Sequence, residues 1–340
     1  MQGKQNLISK DFIETKYLKD VYERALMYLN SGQSVHFSGP SGVGKTSLAL
    51  LVAQRLKRPY SVIYGNNDFN IADLIGGNYG YRRKKIIDNF IHNVYTMEED
   101  FQLRWLDRQL TKACREGHIL IYDEFSRTPP TVNNIFLSIL EEGVLFLPSY
   151  DSDNQYVKVH PEFRLILTSN PTEYAGVHKT QVALEDRIVT IELNQMDRDT
   201  EIAITIANSG LKEDVAGKVV DLVREYRTGA SSSNCSVRTC IKLAKVLATE
   251  KEVLYRDQLR KGIFTDVLLS ETRHQDVNMK KVMQQVESLV NKYFEDIGKE
   301  MMRETARGLI RATIKVREGH DKGTRYFFTE GGAIFLPPWL

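Results

Sequence analysis

The 340-residue chain carries 46 Lys and Arg against 44 Asp and Glu, a formal net charge of +2, with 42% hydrophobic and 26% charged residues. That balance argues against a basic nucleic-acid face or an acidic solvating tail, and a chain of this length buries enough surface to need no disulfide or metal staple. Three cysteines (Cys114, Cys235, Cys240) form no C-x-x-C pair, seven histidines lack helical ligand spacing, and no apolar run reaches the ~18 residues of a membrane span. Residues 1–12 mix Lys, Gln and Asp without an apolar core, so no signal peptide is expected and a cytoplasmic chain is.

Taken in order, Phe12, Leu18, Val21, Tyr22, Ala25, Leu26 and Leu29 predict a helix that Ser31-Gly32 ends. Val35-His36-Phe37 predicts a buried strand, followed by a glycine-rich turn, a helix from Lys45 to about Leu56, and a strand over 61–64. Strand, glycine turn, helix and strand open a parallel α/β sheet. Residues 66–81 read as loop and 82–115 as helical. Strands are predicted at 119–122, 163–168 and 188–193, a helix at 133–142, and a hairpin over 144–159 about the polar turn 151–154. Beyond Leu193 the pattern turns helical: 198–208 capped by Asp197 and ended by Gly210, then 215–226 and 237–249 with a small, polar linker over 228–236. From about Arg273 a long amphipathic helix is marked by Val282, Val286, Leu289, Val290, Tyr293, Ile297 and Met301, and a mixed tail ends at Leu340.

The strongest chemical signal is Gly39-Pro40-Ser41-Gly42-Val43-Gly44-Lys45-Thr46, which fits G-x-x-x-x-G-K-[ST]. Glycines let backbone N–H groups turn inward around a phosphate, and the helix starting at Lys45 aims its positive end at the same point. Lys45 reaches β- and γ-phosphates in such loops, and the Thr46 hydroxyl ligates Mg²⁺. The run Ile119-Leu120-Ile121-Tyr122 then delivers Asp123 and Glu124 to the carboxyl edge of the sheet, where ligands sit in open α/β folds. Asp123 suits the Mg²⁺ shell and Glu124 the polarising of an attacking water. Asn170, at the end of another strand, is placed to orient that water, although Asn-Pro also simply starts a turn. Arg187, Arg238 and, more weakly, Arg127 are candidates for neutralising charge on a γ-phosphate; a surface salt bridge is the commoner fate of a single arginine. The basic run 82–85 fits a solvated helix entry better than a nucleic-acid contact, given the flat charge balance.

Phosphate loop, Asp-Glu strand end, hairpin, strand-end Asn, arginine before the last strand and lid arginine, in this order, resemble the AAA+ ATPases of the MoxR branch. The hairpin looks like that branch's pre-sensor insertion and 82–101 like its helix-2 insertion. Asp73-Leu-Ile-Gly-Gly77, Tyr79-Gly-Tyr-Arg-Arg83, Tyr122-Asp-Glu-Phe125, Ser169-Asn-Pro-x-Glu-Tyr-Ala-Gly-Val-His-Lys-Thr180 and Asp197-Arg-x-Thr-Glu-Ile-Ala203 are similar to the gas vesicle GvpN family over about 15–250. The resemblance implies an α/β AAA+ P-loop NTPase core with a parallel sheet (1–195), an α-helical lid (196–272) and a C-terminal extension (273–340). It implies Mg-ATP hydrolysis in aid of gas vesicle assembly, by remodelling or delivering shell proteins, in a homo-oligomeric ring, a hexamer. By similarity Lys45 and Thr46 belong to Walker A, Asp123 and Glu124 to Walker B, Asn170 to sensor 1, Arg187 to the arginine finger and Arg238 to sensor 2. Two other readings compete with an assembly motor: a structural or nucleating component that binds ATP with little turnover, and a general MoxR-type chaperone. A nucleic-acid motor is disfavoured by the charge balance, and no membrane partner is expected.

Overall fold

A strand covered on both faces reads as an unbroken apolar run, and β5 (Ile119–Asp123), an inner strand of this fold, is buried at all five positions. The computed structural model describes residues 13–79, 104–148, 155–171, 177–229, 235–254, 256–272, 279–295, 327–329 and 332–334. The chain divides into two units, Met1–Thr200 and Glu201–Leu340.

In the first unit, β1 (Ser34–Ser38), β2 (Tyr60–Tyr64), β5, β8 (Arg164–Ser169) and β9 (Ile188–Glu192) form a five-stranded sheet in the order β2-β5-β8-β1-β9. Every neighbouring pair is parallel. Alternate residues feed two cores. Ile119, Ile121 and Ile166 join Val35 and Phe37 against helices α1 (Lys16–Asn30) and α2 (Lys45–Arg55), through Val21, Leu29, Leu48 and Val52. Leu120, Tyr122, Leu165 and Leu167 face the other way, onto Leu110, Phe136 and Leu145. Thr15 caps α1, its hydroxyl accepting the Leu18 N–H at 3.3 Å.

The second core is closed by α3 (Ile71–Ile75), α4 (Gln109–Glu116), α5 (Pro130–Asn133), α6 (Ile135–Glu141), α7 (Val182–Glu185), and the antiparallel hairpin β6 (Val144–Phe146) and β7 (Tyr156–Lys158). Leu145 and Val157 point into it, while Phe146 and Tyr156, opposite each other in register, are 57% and 64% exposed.

Helix α8 (Arg198–Ser209) begins at the end of the first unit, its first turn capped by Asp197 through the Thr200 N–H at 2.9 Å, and runs on into the second. Helices α9 (Glu213–Gly229), α10 (Val237–Thr249), α11 (Asp257–Ser270) and α12 (279–295) share one core. Val282, Val286, Leu289, Val290 and Phe294 recur at three- and four-residue steps on α12 and pack with Val219, Val220, Leu243 and Phe264. A short antiparallel pair, Phe327–Thr329 with Gly332–Ile334, lies in the tail. No helix among the described residues is long and apolar enough to cross a membrane.

Several local expectations are corrected. Residues 66–81 are not simply loop: Asn70 forms a capping box with Asp73 that nucleates α3, and β3 (Gly76–Tyr79) follows. The helical reading fails at Arg104–Asp107, which is strand β4 paired antiparallel with β3. A cross-strand ladder outweighed the spacing of Leu106 and Leu110, and helix α4 begins only at Gln109. The helix expected at 133–142 starts at Pro130 and is broken at Asn134. Helix α11 falls within the expected helical lid (196–272) but is not predicted as a separate element, and 228–229 extend α9 rather than starting a linker. The basic run 82–85, the 82–101 insertion, the hairpin turn 151–154, and Ile297 and Met301 lie outside the described residues.

Candidate functional site

The parallel strands of the sheet end at one edge, and the phosphate-loop motif, Asp123, Glu124 and Asn170 sit at those ends, whereas Arg187 and Arg238 do not. After β1 the chain enters the loop 39–44 and then α2. Gly39 is required by close approach: a Cβ there would lie 2.2 Å from the Leu193 carbonyl oxygen, at the end of neighbouring β9. Gly44, with φ 82° and ψ 20°, takes the left-handed N-cap position of α2 and offers no side-chain cap. The first N–H groups of this 11-residue helix therefore have no acceptor from their own cap, which suits an anion. Val43 is buried in the core behind the loop, Gly42 is buried, Pro40 half-buried and Ser41 exposed. Lys45, only 8% exposed, bends back so that its Nζ donates to the carbonyls of Gly39 at 2.8 Å and Pro40 at 2.7 Å.

Thr46 and Asp123 meet across the loop. The Thr46 hydroxyl donates to Asp123 Oδ1 at 2.7 Å, and the Thr168 hydroxyl donates to the same oxygen at 2.6 Å. Thr168 Oγ1 also accepts the Glu124 N–H at 2.9 Å, so one buried threonine of β8 orients both acids. Glu124 sits at φ 52° and ψ 40°, a left-handed conformation that costs a non-glycine residue about 1 kcal/mol or more. Gly65, after β2, lies flush against it: a Cβ on Gly65 would fall 2.1 Å from the Glu124 carbonyl oxygen. The Gly65 N–H donates to the Asp123 carbonyl at 2.7 Å. The Glu124 side chain is 44% exposed and pairs with Arg127 Nε at 2.6 Å.

Asn170 is buried at the end of β8, between the ends of β5 and β1. Beside it, His36 of β1 bonds through Nε2 to Ser169 Oγ at 2.8 Å and through Nδ1 to Thr190 Oγ1 at 3.1 Å. Its ring stands edge-on to Phe125, 5.2 Å between centroids. Burial, with the Lys45 ammonium second, pushes the imidazole pKa down to about 4, so it is neutral at pH 7. Tyr122 is pushed up to about 12 by burial, and its hydroxyl donates to Thr128 at 2.6 Å.

The structure thus brings together Gly39–Thr46, Asp123, Glu124 and Asn170. Arg187 stands apart. β9 runs parallel to β1, with Ser34 opposite Ile188 and Ser38 opposite Glu192. Arg187 therefore precedes the strand at the amino edge of the sheet, roughly 16 Å of strand from the phosphate-loop edge. There it pairs with Glu141 and donates to the Ala183 carbonyl. Arg238 is exposed on α10 of the second unit, just after the Ser236 cap. Thr168, Gly65 and His36 had no assigned part in the sequence reading. Their one signal is a polar or side-chain-free residue within or just beyond an apolar strand.

Residues 34–188 match the family model of the AAA domain (dynein-related subfamily). The chain is 47% identical over 240 residues to the gas vesicle ATPase GvpN of Ancylobacter aquaticus, covering 70% of this chain and 67% of that one. It is 42% identical over 273 residues to the gas vesicle ATPase GvpN of Haloferax mediterranei, covering 78% and 77%. Among solved structures it is similar to NtrX of Brucella abortus in complex with ADP, with 14% identity, 88% of this chain and 70% of that one covered, and a TM-score of 0.47.

Proposed function

We propose, from the premise that this chain belongs to the gas vesicle ATPase GvpN family, a division of labour among its residues. The chain is an AAA+ ATPase linked to gas vesicles, and nucleotide is its substrate. The observation that carries the assignment is the 2.7 Å hydrogen bond from Thr46 to Asp123. That contact between the last residue of a phosphate-loop motif and the first strand-end acid supports their sharing one ion.

The donor set fits Mg²⁺: a hydroxyl and a carboxylate, both hard oxygens, beside a phosphate loop. Thr46 and Asp123 would hold the ion, which when bound supplies positive charge to the phosphate oxygens. Lys45 trades the carbonyls of Gly39 and Pro40 for phosphate oxygens, keeping its ammonium hydrogen-bonded throughout. Glu124 leaves Arg127 and accepts the proton of the attacking water; their exposed pair is worth at most about 1 kcal/mol, so the exchange is easy. Asn170 orients that water with its side-chain amide.

Arg187 acts on the nucleotide of a neighbouring copy. Its place at the opposite sheet edge supports action in trans rather than within one chain, and a closed ring, a hexamer, supplies that neighbour to every site. Arg238 senses the γ-phosphate, so that its loss is passed to the helical unit and drives movement. That movement remodels or delivers a gas vesicle shell protein, and the exposed Phe146 and Tyr156 of the hairpin support a client contact there.

Glu124→Gln tests the reading. It keeps ATP binding, and both turnover and shell assembly are expected to fall by roughly 100-fold or more, in line with loss of a general base. Turnover at the wild-type rate refutes the role of Glu124. Lost turnover with undiminished shell assembly refutes the motor and leaves an ATP-binding structural component.

A further inference from the structure

His36 is a titratable, 6% exposed residue in the central sheet that the proposed chemistry does not use. Its neighbours Val35 and Phe37 point into the core shared with α1 and α2. Strand alternation turns His36 to the other face, where Phe125 lies. There the imidazole touches three segments, and two of them adjoin a proposed site residue. Nε2 holds the hydroxyl of Ser169, which immediately precedes Asn170. The ring abuts Phe125, which immediately follows Glu124 and is 1% exposed. Nδ1 holds Thr190 of β9, at its exposed side and away from both.

A left-handed backbone at a non-glycine residue persists only where its surroundings over-determine it. Glu124 has that backbone, and the Phe125 ring packed against His36 adds a restraint beside Gly65, Thr168 and the Arg127 N–H that donates to the Glu124 carbonyl. Asn170 and Glu124 lie 46 residues apart along the chain. The His36 ring bridges the two strand ends through space.

We propose that His36 is a positioning residue: by holding Ser169 with one nitrogen and Phe125 with its ring, it sets Asn170 and Glu124 in register so that both address the same water. The proposal rests on the roles given above to Glu124 and Asn170. Being neutral at pH 7, the imidazole has one donor and one acceptor nitrogen, enough for both hydroxyl partners without a buried charge.

The test is steady-state ATP turnover by the full chain, with kcat and KM measured separately. Ser169→Ala deletes the hydroxyl with a minimal change of shape, and His36→Gln keeps a polar group but loses the ring. Both are expected to lower kcat by roughly 10- to 100-fold, the effect of misplacing a reacting group by a fraction of an ångström to an ångström, with KM for ATP changed by less than about threefold. The double variant is expected to be no slower than the slower single, because one coupled unit is broken twice. Thr190→Val, which removes the bond on the side away from the site, is expected to keep kcat within about threefold of wild type.

Full turnover by Ser169→Ala, multiplying effects in the double variant, or a loss confined to KM each overturns the proposal, and Ser169→Ala answers even where His36→Gln fails to fold. Glu124→Gln run in parallel separates the two levels. If it turns over as wild type, the site reading falls and the proposal with it. If it is inactive while Ser169→Ala is fully active, the proposal alone falls.

Discussion

Replacing Thr168 by valine keeps the shape of a fully buried side chain and deletes one hydroxyl. That hydroxyl donates to Asp123 Oδ1 at 2.6 Å and accepts the Glu124 N–H at 2.9 Å. Losing a hydrogen bond to a carboxylate costs about 1.5–3 kcal/mol, and a half-buried amide left without its acceptor adds about 1 kcal/mol. Asp123 keeps its bond from Thr46, so the total is roughly 3 kcal/mol. With a urea m-value of about 2 kcal/mol/M, the unfolding midpoint falls by about 1.5 M. Tryptophan fluorescence and circular dichroism at pH 7.5 measure it, alongside ATP turnover, which falls as well because both acids lose their shared restraint. Thr46→Val serves as the comparison: it removes one bond to the same carboxylate at a more exposed position, so it costs about 1 kcal/mol in stability and acts mainly on nucleotide affinity. A Thr168→Val midpoint within about 0.3 M of wild type refutes the claim that this hydroxyl ties the acids together.

Three further expectations have independent grounds. Gly39→Ala forces a Cβ to within 2.2 Å of the Leu193 oxygen, so the loop must shift; a loss of about 1–3 kcal/mol is expected in thermal unfolding, with weakened binding of a fluorescent ATP analogue. Stability falls as pH drops from about 6.5, the pKa of an unfolded histidine, towards the pKa of about 4 that burial imposes on His36, because the unfolded chain binds the proton first. By pH 5 the loss is about 2 kcal/mol, and urea midpoints of His36→Gln should lack that component; a pH profile identical to wild type would discount it. Glu124→Gln and Arg187→Ala proteins, each inactive alone, should regain turnover when mixed, since each supplies the group its neighbour lacks. No gain on mixing places Arg187 outside any neighbouring site.

Much of the site was legible because its geometry is local. In Gly39–Thr46 the glycines, lysine and threonine lie within eight residues, and the loop's shape follows from which backbone angles those residues allow. Asp123 and Glu124 were legible for a similar reason: a run of four apolar residues must be a buried strand, and its end must reach the sheet edge. Asn170 at a strand end and the hairpin of 144–159 were legible from short apolar runs in the same way.

What no short window contains is pairing between distant strands. Thr168 meets Asp123 over a separation of 45 residues, His36 meets Ser169 over 133 and Thr190 over 154. Each looks in the sequence like an ordinary polar interruption of a strand. Arg104–Asp107 became a strand because Gly76–Tyr79 lay ready to pair with it, against its own helical spacing. The place of Arg187 at the far sheet edge followed only from the parallel register of β9 on β1. Sequence alone determined the phosphate loop and the paired acids, since backbone permissiveness and apolar runs act over a few residues. Tertiary structure alone decided which side chains hold those acids and that Arg187 stands away from the phosphate loop of its own chain, since these depend on strand order and register, set by burial of the whole sheet.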